Sequence, residues 1–213
     1  MSPNFNLQLY VVLSNIFKDS FTLEAQNGIC SCSTFLFIMS CSTTPKQTKI
    51  PGATKPAHKL AQPEAELRYQ QVRNVHYDQK FSLTKGDTYS GTTTIKFDFT
   101  TVGQQLRVDF YEGKIQELKL NGGPVTYKYD GVGIYIPVDQ FAPGPQSLEI
   151  QFEKNYSKTG AGLYRFEDPE DNRIYVYTDL QPFDANQVFP CFDQPDLKAT
   201  YQMSVSAPGT GKL

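Results

Sequence analysis

Gln181 lies near the start of a stretch crowded with stiff and acidic residues, YTDLQPFDANQVFPCFDQPDLKATY, running from 177 to 201. Its amide offers a carbonyl acceptor and two N–H donors. Asp179, two residues earlier, offers a carboxylate. Pro182 keeps Gln181 out of helical space, and Pro190 does the same to Phe189. This punctuation predicts a rigid loop between two strands, and a rigid loop presents the polar group at its entrance in a fixed pose. The neighbouring acids have structural work available. Asp184 can cap a short turn through 185–188, and Asp193 can start another ahead of Pro195. Phe183, Phe189, Cys191 and Phe192 are apolar anchors that would pin the loop to a core.

Other chemistries find little support. The four cysteines are Cys30, Cys32, Cys41 and Cys191, three near the start and one far away, which is not the spacing of a disulfide framework. The histidines are His58 and His76 only. A metal site draws three or four ligands at short, regular spacings, and Cys30-Ser31-Cys32 is one residue too tight for a CxxC knuckle, so we expect no metal site in this chain. Twenty basic and 22 acidic residues leave the charge near neutral, which gives no reason to expect nucleic acid as a partner.

The elements that must hold the loop read as strands. Thirteen tyrosines and 15 phenylalanines lean the composition towards β structure. RYQQVRNVHYDQKFSL (68–83) alternates imperfectly around Val72, Val75, Tyr77, Phe81 and Leu83. TYSGTTTIKFDFTT (88–101) alternates well around Ile95, Phe97 and Phe99, and QSLEIQFEKNY (146–156) does so around Leu148, Ile150 and Phe152. QQLRVDFY, KIQELKLNGG and VTYKYDGVGIYIPV are further short runs. Asn121-Gly122-Gly123 and Asp130-Gly131 signal tight turns. NRIYVYT (172–178) leads into the loop, and ATYQMSVSAP (199–208) leaves it with Tyr201, Met203 and Val205 on one face. Strands recur every 8 to 15 residues with almost no helical periodicity. The expected fold is all-β, an antiparallel β-sandwich or curved multi-stranded sheet, behind a disordered N-terminal tail and tether.

That organisation divides the chain in three. Residues 1–41 carry few charges, and TFLFIMSC (34–41) is a short apolar run ending in Ser40 and Cys41. Export signals have an apolar core of about 7–15 residues followed by small residues. The ending also resembles a bacterial lipobox, which makes Cys41 a candidate lipidation site and the cell envelope of a bacterium the expected location. The alternative is an apolar N-terminus with no export role, on a cytoplasmic protein. The run is far short of the ~20 residues of a membrane-spanning helix, so any membrane contact would come through the lipid. Residues 42–63 hold four prolines, four lysines and no acid, and read as an extended tether. Residues 64–213 form the folded domain.

The 177–201 stretch is similar to the N-terminal domain signature of M1-family zinc aminopeptidases, the aminopeptidase N group, whose form runs roughly T-Q-x-[EQ]-x-x-x-A-R-x-x-F-P-C-[FW]-D-E-P-x-x-K-A-x-[FY]. Phe189, Pro190, Cys191, Phe192, Asp193, Pro195, Lys198 and Ala199 match its core. Gly162-Leu163-Tyr164 followed by an acidic turn resembles the family as well, and the likeness covers about 68–208. The resemblance implies a saddle-shaped β domain ahead of a thermolysin-like catalytic domain. It implies that Gln181, the second polar residue of T-Q-x-[EQ], binds the free α-amine of a peptide substrate. An amide carbonyl can accept that N⁺–H bond, less strongly than a carboxylate. The family glutamine is Asp179 here, and the family arginine is Asn186.

The family's zinc is held by H-E-x-x-H and a downstream glutamate. The sequence contains no His-Glu pair and no G-x-M-E-N loop. The expectation is therefore the front piece of a zinc aminopeptidase, truncated and inactive alone, with its cofactor bound elsewhere and no catalytic residue of its own. The alternatives are a stand-alone β-sandwich binding module on a surface lipoprotein and a non-functional gene remnant.

Overall fold

The computed structural model describes residues 9–11, 60–170 and 173–208. The expected lipidation residue Cys41 and most of the tether lie outside these residues. A short strand, β1 (Leu9–Val11), precedes helix α1 (Gln62–Gln71). The strands β2 (Val72–Ser82), β3 (Thr88–Phe99), β4 (Gln105–Asp109), β5 (Lys114–Leu120), β6 (Gly123–Pro124), β7 (Lys128–Tyr129) and β8 (Gly133–Pro137) follow. The order ends with β9 (Gly144–Asn155), β10 (Gly162–Glu167), β11 (Ile174–Asp179) and β12 (Ala199–Ser206). Among the described residues no helix is long and apolar enough to cross a membrane.

The all-β expectation holds. One sheet has six strands in the order β12-β2-β3-β9-β5-β6, and two sheets of three strands run β4-β8-β7 and β1-β11-β10. The centre is the long antiparallel pair β3–β9, in unbroken register from Thr88↔Asn155 to Phe99↔Gly144. Its alternation places Ile95, Phe97 and Phe99 with Leu148, Ile150 and Phe152 on one face, because successive strand side chains point to opposite faces. Leu106 and Val108 of β4 and Ile134 and Ile136 of β8 join the same core, so the small sheet closes over the large one. Phe110, just past β4, meets Phe152 edge-on at 5.3 Å between ring centroids. Both tight-turn signals are realised. Asn121 and Gly122 take positive φ, 52° and 81°, between β5 and β6. Asp130 Oδ1 accepts the amides of Val132 and Gly133 at 2.9 and 2.8 Å between β7 and β8.

Three features differ from the sequence reading. The first four residues of the 68–83 run are helical, because α1 occupies Gln62–Gln71 and starts two residues before the expected domain boundary at 64. Pro63 suits a helix's first turn, where its missing N–H costs nothing, and Glu64 Oε2 accepts the Ala61 amide at 3.2 Å. The imperfect alternation that follows comes from a bulge between Arg73 and His76, where Asn74 takes φ 52°. The extra residue lets Val72 and Val75, three apart, both face the core. Finally, β12 runs parallel to β2, from Ala199↔Val75 to Ser206↔Ser82, so the large sheet is mixed at that edge.

Candidate functional site

The loop between β11 and β12 forms as a structured crossover. The Asp184 amide donates to Leu180 O at 3.2 Å, and the Gln187, Val188 and Phe189 amides close a 3-10 turn over Ala185–Gln187. Asp184 precedes that turn, yet its carboxylate accepts from the Gln187 side chain at 2.5 Å and not from a turn amide. Asp193 opens no turn through its side chain. Its Oδ2 reaches back to accept both the Asn186 amide at 2.9 Å and Asn186 Nδ2 at 2.7 Å. Three of the four expected anchors are buried: Phe189, Cys191 and Phe192. Phe183 is only half-buried and lies outside the core.

The second half of the loop is bolted to β4. Cys191 and Asp109 exchange backbone hydrogen bonds of 2.8 and 3.0 Å. The Phe192 amide donates to Tyr77 Oη at 2.9 Å, and the Asp193 amide donates to Asp109 Oδ2 at 3.1 Å. Asp109, 1% exposed, also takes Arg68 Nη1 at 2.5 Å and Arg107 Nε at 2.8 Å. Arg68 of α1 further donates to Gln194 Oε1 at 3.0 Å, and Gln194 Nε2 donates to Ala65 O at 3.0 Å. Helix, small sheet and loop thus meet on one buried carboxylate. No sequence signal marked Arg68, Arg107, Asp109 or Gln194 for this task. An arginine in RYQQ and an aspartate in RVDFY look like ordinary strand-surface charges.

Gln181 is exposed at the loop entrance, and its backbone N–H donates to Asp179 Oδ1 at 3.2 Å. The peptide bond to Pro182 is cis. Asp179 is exposed as well, so a carboxylate and an amide stand together at the rim. Cys191 is a free thiol, but burial, then Asp193 and Asp109, push its pKa well up. It serves as packing, since a thiol kept protonated is a poor nucleophile. His76 Nδ1 lies 2.7 Å from Thr200 Oγ1. Among the described residues no three histidines, cysteines or acids converge as a metal would need. The described residues do not fit a zinc ion.

Asp193 gives the site a pH signature. Burial pushes its carboxyl from 3.8 up to about 6, against the two Asn186 hydrogen bonds that lower it. The folded protein therefore keeps a proton that the unfolded chain has released between about pH 4 and 6. Stability rises as pH falls through 6, and is lower above it. Between pH 7 and pH 5 the expected gain is about 1 kcal/mol. Urea titrations at the two pH values should show that gain, and Asp193→Asn should abolish it.

The comparisons with known proteins agree with this architecture. The model of the peptidase M1 N-terminal domain matches residues 73–212. Aminopeptidase N of Streptomyces lividans is 35% identical over 156 residues, covering 72% of this chain and 18% of that protein. Glutamyl aminopeptidase of Sus scrofa is 31% identical over 154 residues, covering 64% of this chain and 16% of that protein. In fold, leukotriene A4 hydrolase from Saccharomyces cerevisiae is similar at a TM-score of 0.56 and 21% identity, over 72% of this chain and 26% of that one. The M1 zinc metallopeptidase from Deinococcus radiodurans gives 0.50 at 14% identity, over 66% and 33%. The chain spans less than a fifth of the length of these two sequence relatives. With the family model covering well over half of its residues, the chain belongs to the peptidase M1 family and corresponds to that family's N-terminal domain.

Proposed function

We propose that this chain anchors the free N-terminal amine of a peptide for an M1 metallo-aminopeptidase and has no peptidase activity by itself. One observation carries the reading: Gln181 is exposed at the rim of a loop whose far half is locked into the core, and the resemblance of the 177–201 stretch to the family signature aligns it with the second polar residue of T-Q-x-[EQ]. The Gln181 carbonyl would accept an N⁺–H bond. The Asp179 carboxylate beside it would add attraction for a cation, moderated by solvent because both groups are exposed. These residues include no H-E-x-x-H, so they would not themselves supply the zinc chemistry of bond cleavage. The chain's own residues bind and orient.

Two measurements test the proposal. The 213-residue protein, with or without added zinc, should release no chromophore from alanyl or leucyl anilides; zinc-dependent turnover would refute inactivity. In an NMR titration, an unblocked peptide should bind more tightly than its N-acetylated form, and Gln181→Ala should erase the difference. A preference that survives in Gln181→Ala would refute the amine role.

A second reading, a stand-alone binding module, is favoured by the outer edge of β12, which has no partner among the described residues. Unpaired strand edges accept other chains. Capture of one specific protein by the wild-type chain, lost when a proline is placed at the exposed edge, would support it.

For location we propose an envelope lipoprotein acylated at Cys41, on the strength of the apolar run and the Ser40-Cys41 junction. Cys41→Ser should move the protein from the membrane to the soluble fraction. An unchanged distribution would count against acylation.

A further inference from the structure

Three large apolar side chains are exposed among the described residues, and two of them, Phe166 and Tyr177, lie on the β10–β11 hairpin beside Gln181. The register makes their placement informative. Tyr164 pairs with Tyr177 and Phe166 pairs with Tyr175. Directly paired residues of an antiparallel hairpin point to the same face, and so do residues two apart. All four rings therefore share one face, while Leu163 and Val176, at alternate positions of the hairpin, are buried on the other. The Tyr164 and Tyr177 rings lie 4.9 Å apart and tilted by 47°. The same period of two continues along β11 to Asp179 at its end, with Gln181 just beyond.

We propose that this face is a stacking strip for the residues that follow a substrate's N-terminus, so that the site selects extended peptides with aromatic or large apolar side chains at their third and fifth positions. The proposal rests on the Gln181 reading and extends it from the amine to the rest of the ligand. The occupant follows from the order of the chemistry. A carboxylate and an amide stand at one end, suited to an ammonium group, and two aromatic rungs follow on the same face. A strand rises about 3.3 Å per residue, so the rungs lie about 6.6 and 13 Å behind Asp179. An extended peptide has the same rise. With its amine at Asp179 and Gln181, its third and fifth side chains fall over the Tyr164–Tyr177 and Phe166–Tyr175 rungs. Ring-on-ring contact adds to simple burial.

The test titrates the full chain, by NMR of its backbone amides, with Ala-Ser-Phe-Ser-Phe amide, Ala-Ser-Ser-Ser-Ser amide and the N-acetylated form of the first. The phenylalanine peptide should bind roughly tenfold more tightly than the serine peptide, with shifts centred on β10 and β11. Tyr177→Ser and Phe166→Ser alter exposed side chains, so their remaining spectra should be unchanged, and each should cut the phenylalanine preference. Shifts centred elsewhere, or a preference that survives both variants, would overturn the strip. The amine role is read separately. If the phenylalanine preference is present but acetylation costs nothing, the strip stands and the Gln181 reading fails. If acetylation weakens binding and phenylalanine gives no advantage, the reverse holds.

Discussion

Asp109→Asn is expected to cost about 3–5 kcal/mol of unfolding free energy, the scale of breaking a buried ion pair from one side. Asparagine keeps the shape but removes the charge that faces Arg68, which is 2% exposed and, among the described residues, hydrogen-bonds to no other carboxylate. Arg107 suffers less, because Glu64 Oε2 stays within 3.0 Å of its Nη1. The loss is not confined to electrostatics. Asp109 Oδ2 accepts the Asp193 amide, so the loop's attachment to β4 weakens with it. Arg68→Met in the same background should restore part of the stability, since an uncompensated buried cation is worse than an apolar side chain of similar length. Two residues in one network do not act independently, and couplings of about 0.5–3 kcal/mol are ordinary. Urea unfolding of wild type, both single variants and the double variant reads the effect. Equal midpoints for wild type and Asp109→Asn would show that the cluster contributes no stability.

This cluster also shows where the sequence was silent. The strands β3 and β9 were legible because their central runs alternate, with Ile95, Phe97 and Phe99 and with Leu148, Ile150 and Phe152 at every second position. The loop was legible because proline restricts its neighbours locally. Helix α1 was not, because its inward residues are Arg68 and Gln71. A helix that docks through a guanidinium and an amide leaves no apolar stripe to find. Gln71 Nε2 spends its hydrogens on Val102 O and Gln105 O, at 2.7 and 3.0 Å, contacts made across some thirty residues of chain. Asp193 was misjudged for a related reason. Aspartate ahead of proline commonly makes a local turn, but here the acceptor is used by Asn186, seven residues back. The parallel direction of β12 could not be read either, since alternation fixes which face a residue takes and says nothing of the partner strand's polarity. The aromatic hairpin face was visible as four aromatic residues, but only the register shows that they form rungs in line with Asp179.

Phe189→Ala is expected to destabilise by about 3–5 kcal/mol, and Phe183→Ala by well under that. Both phenylalanines sit in the same loop six residues apart, and the sequence ranks them equally. The structure does not. Phe189 is 3% exposed and meets Tyr77 and Phe81 edge-on, at 6.4 and 6.1 Å between ring centroids. Tyr77 in turn stacks on Tyr201 of β12 at 4.8 Å and holds the Phe192 amide through its hydroxyl. Removing the Phe189 ring opens a cavity beside Tyr77 and Phe81 of β2, and Tyr77, already stacked on Tyr201 and holding the Phe192 amide, is not free to collapse into it. Phe183 lies in the half of the loop that faces solvent, next to Gln181, where truncation leaves little void. The loop is thus fixed from 189 onward, and its entrance is held through short-range contacts such as the Asp184 amide on Leu180 O. Thermal unfolding of the two variants separates the cases. A smaller loss for Phe189→Ala than for Phe183→Ala would mean that the entrance carries the anchoring, and that the pose of Gln181 depends on local turns rather than on the core beneath them.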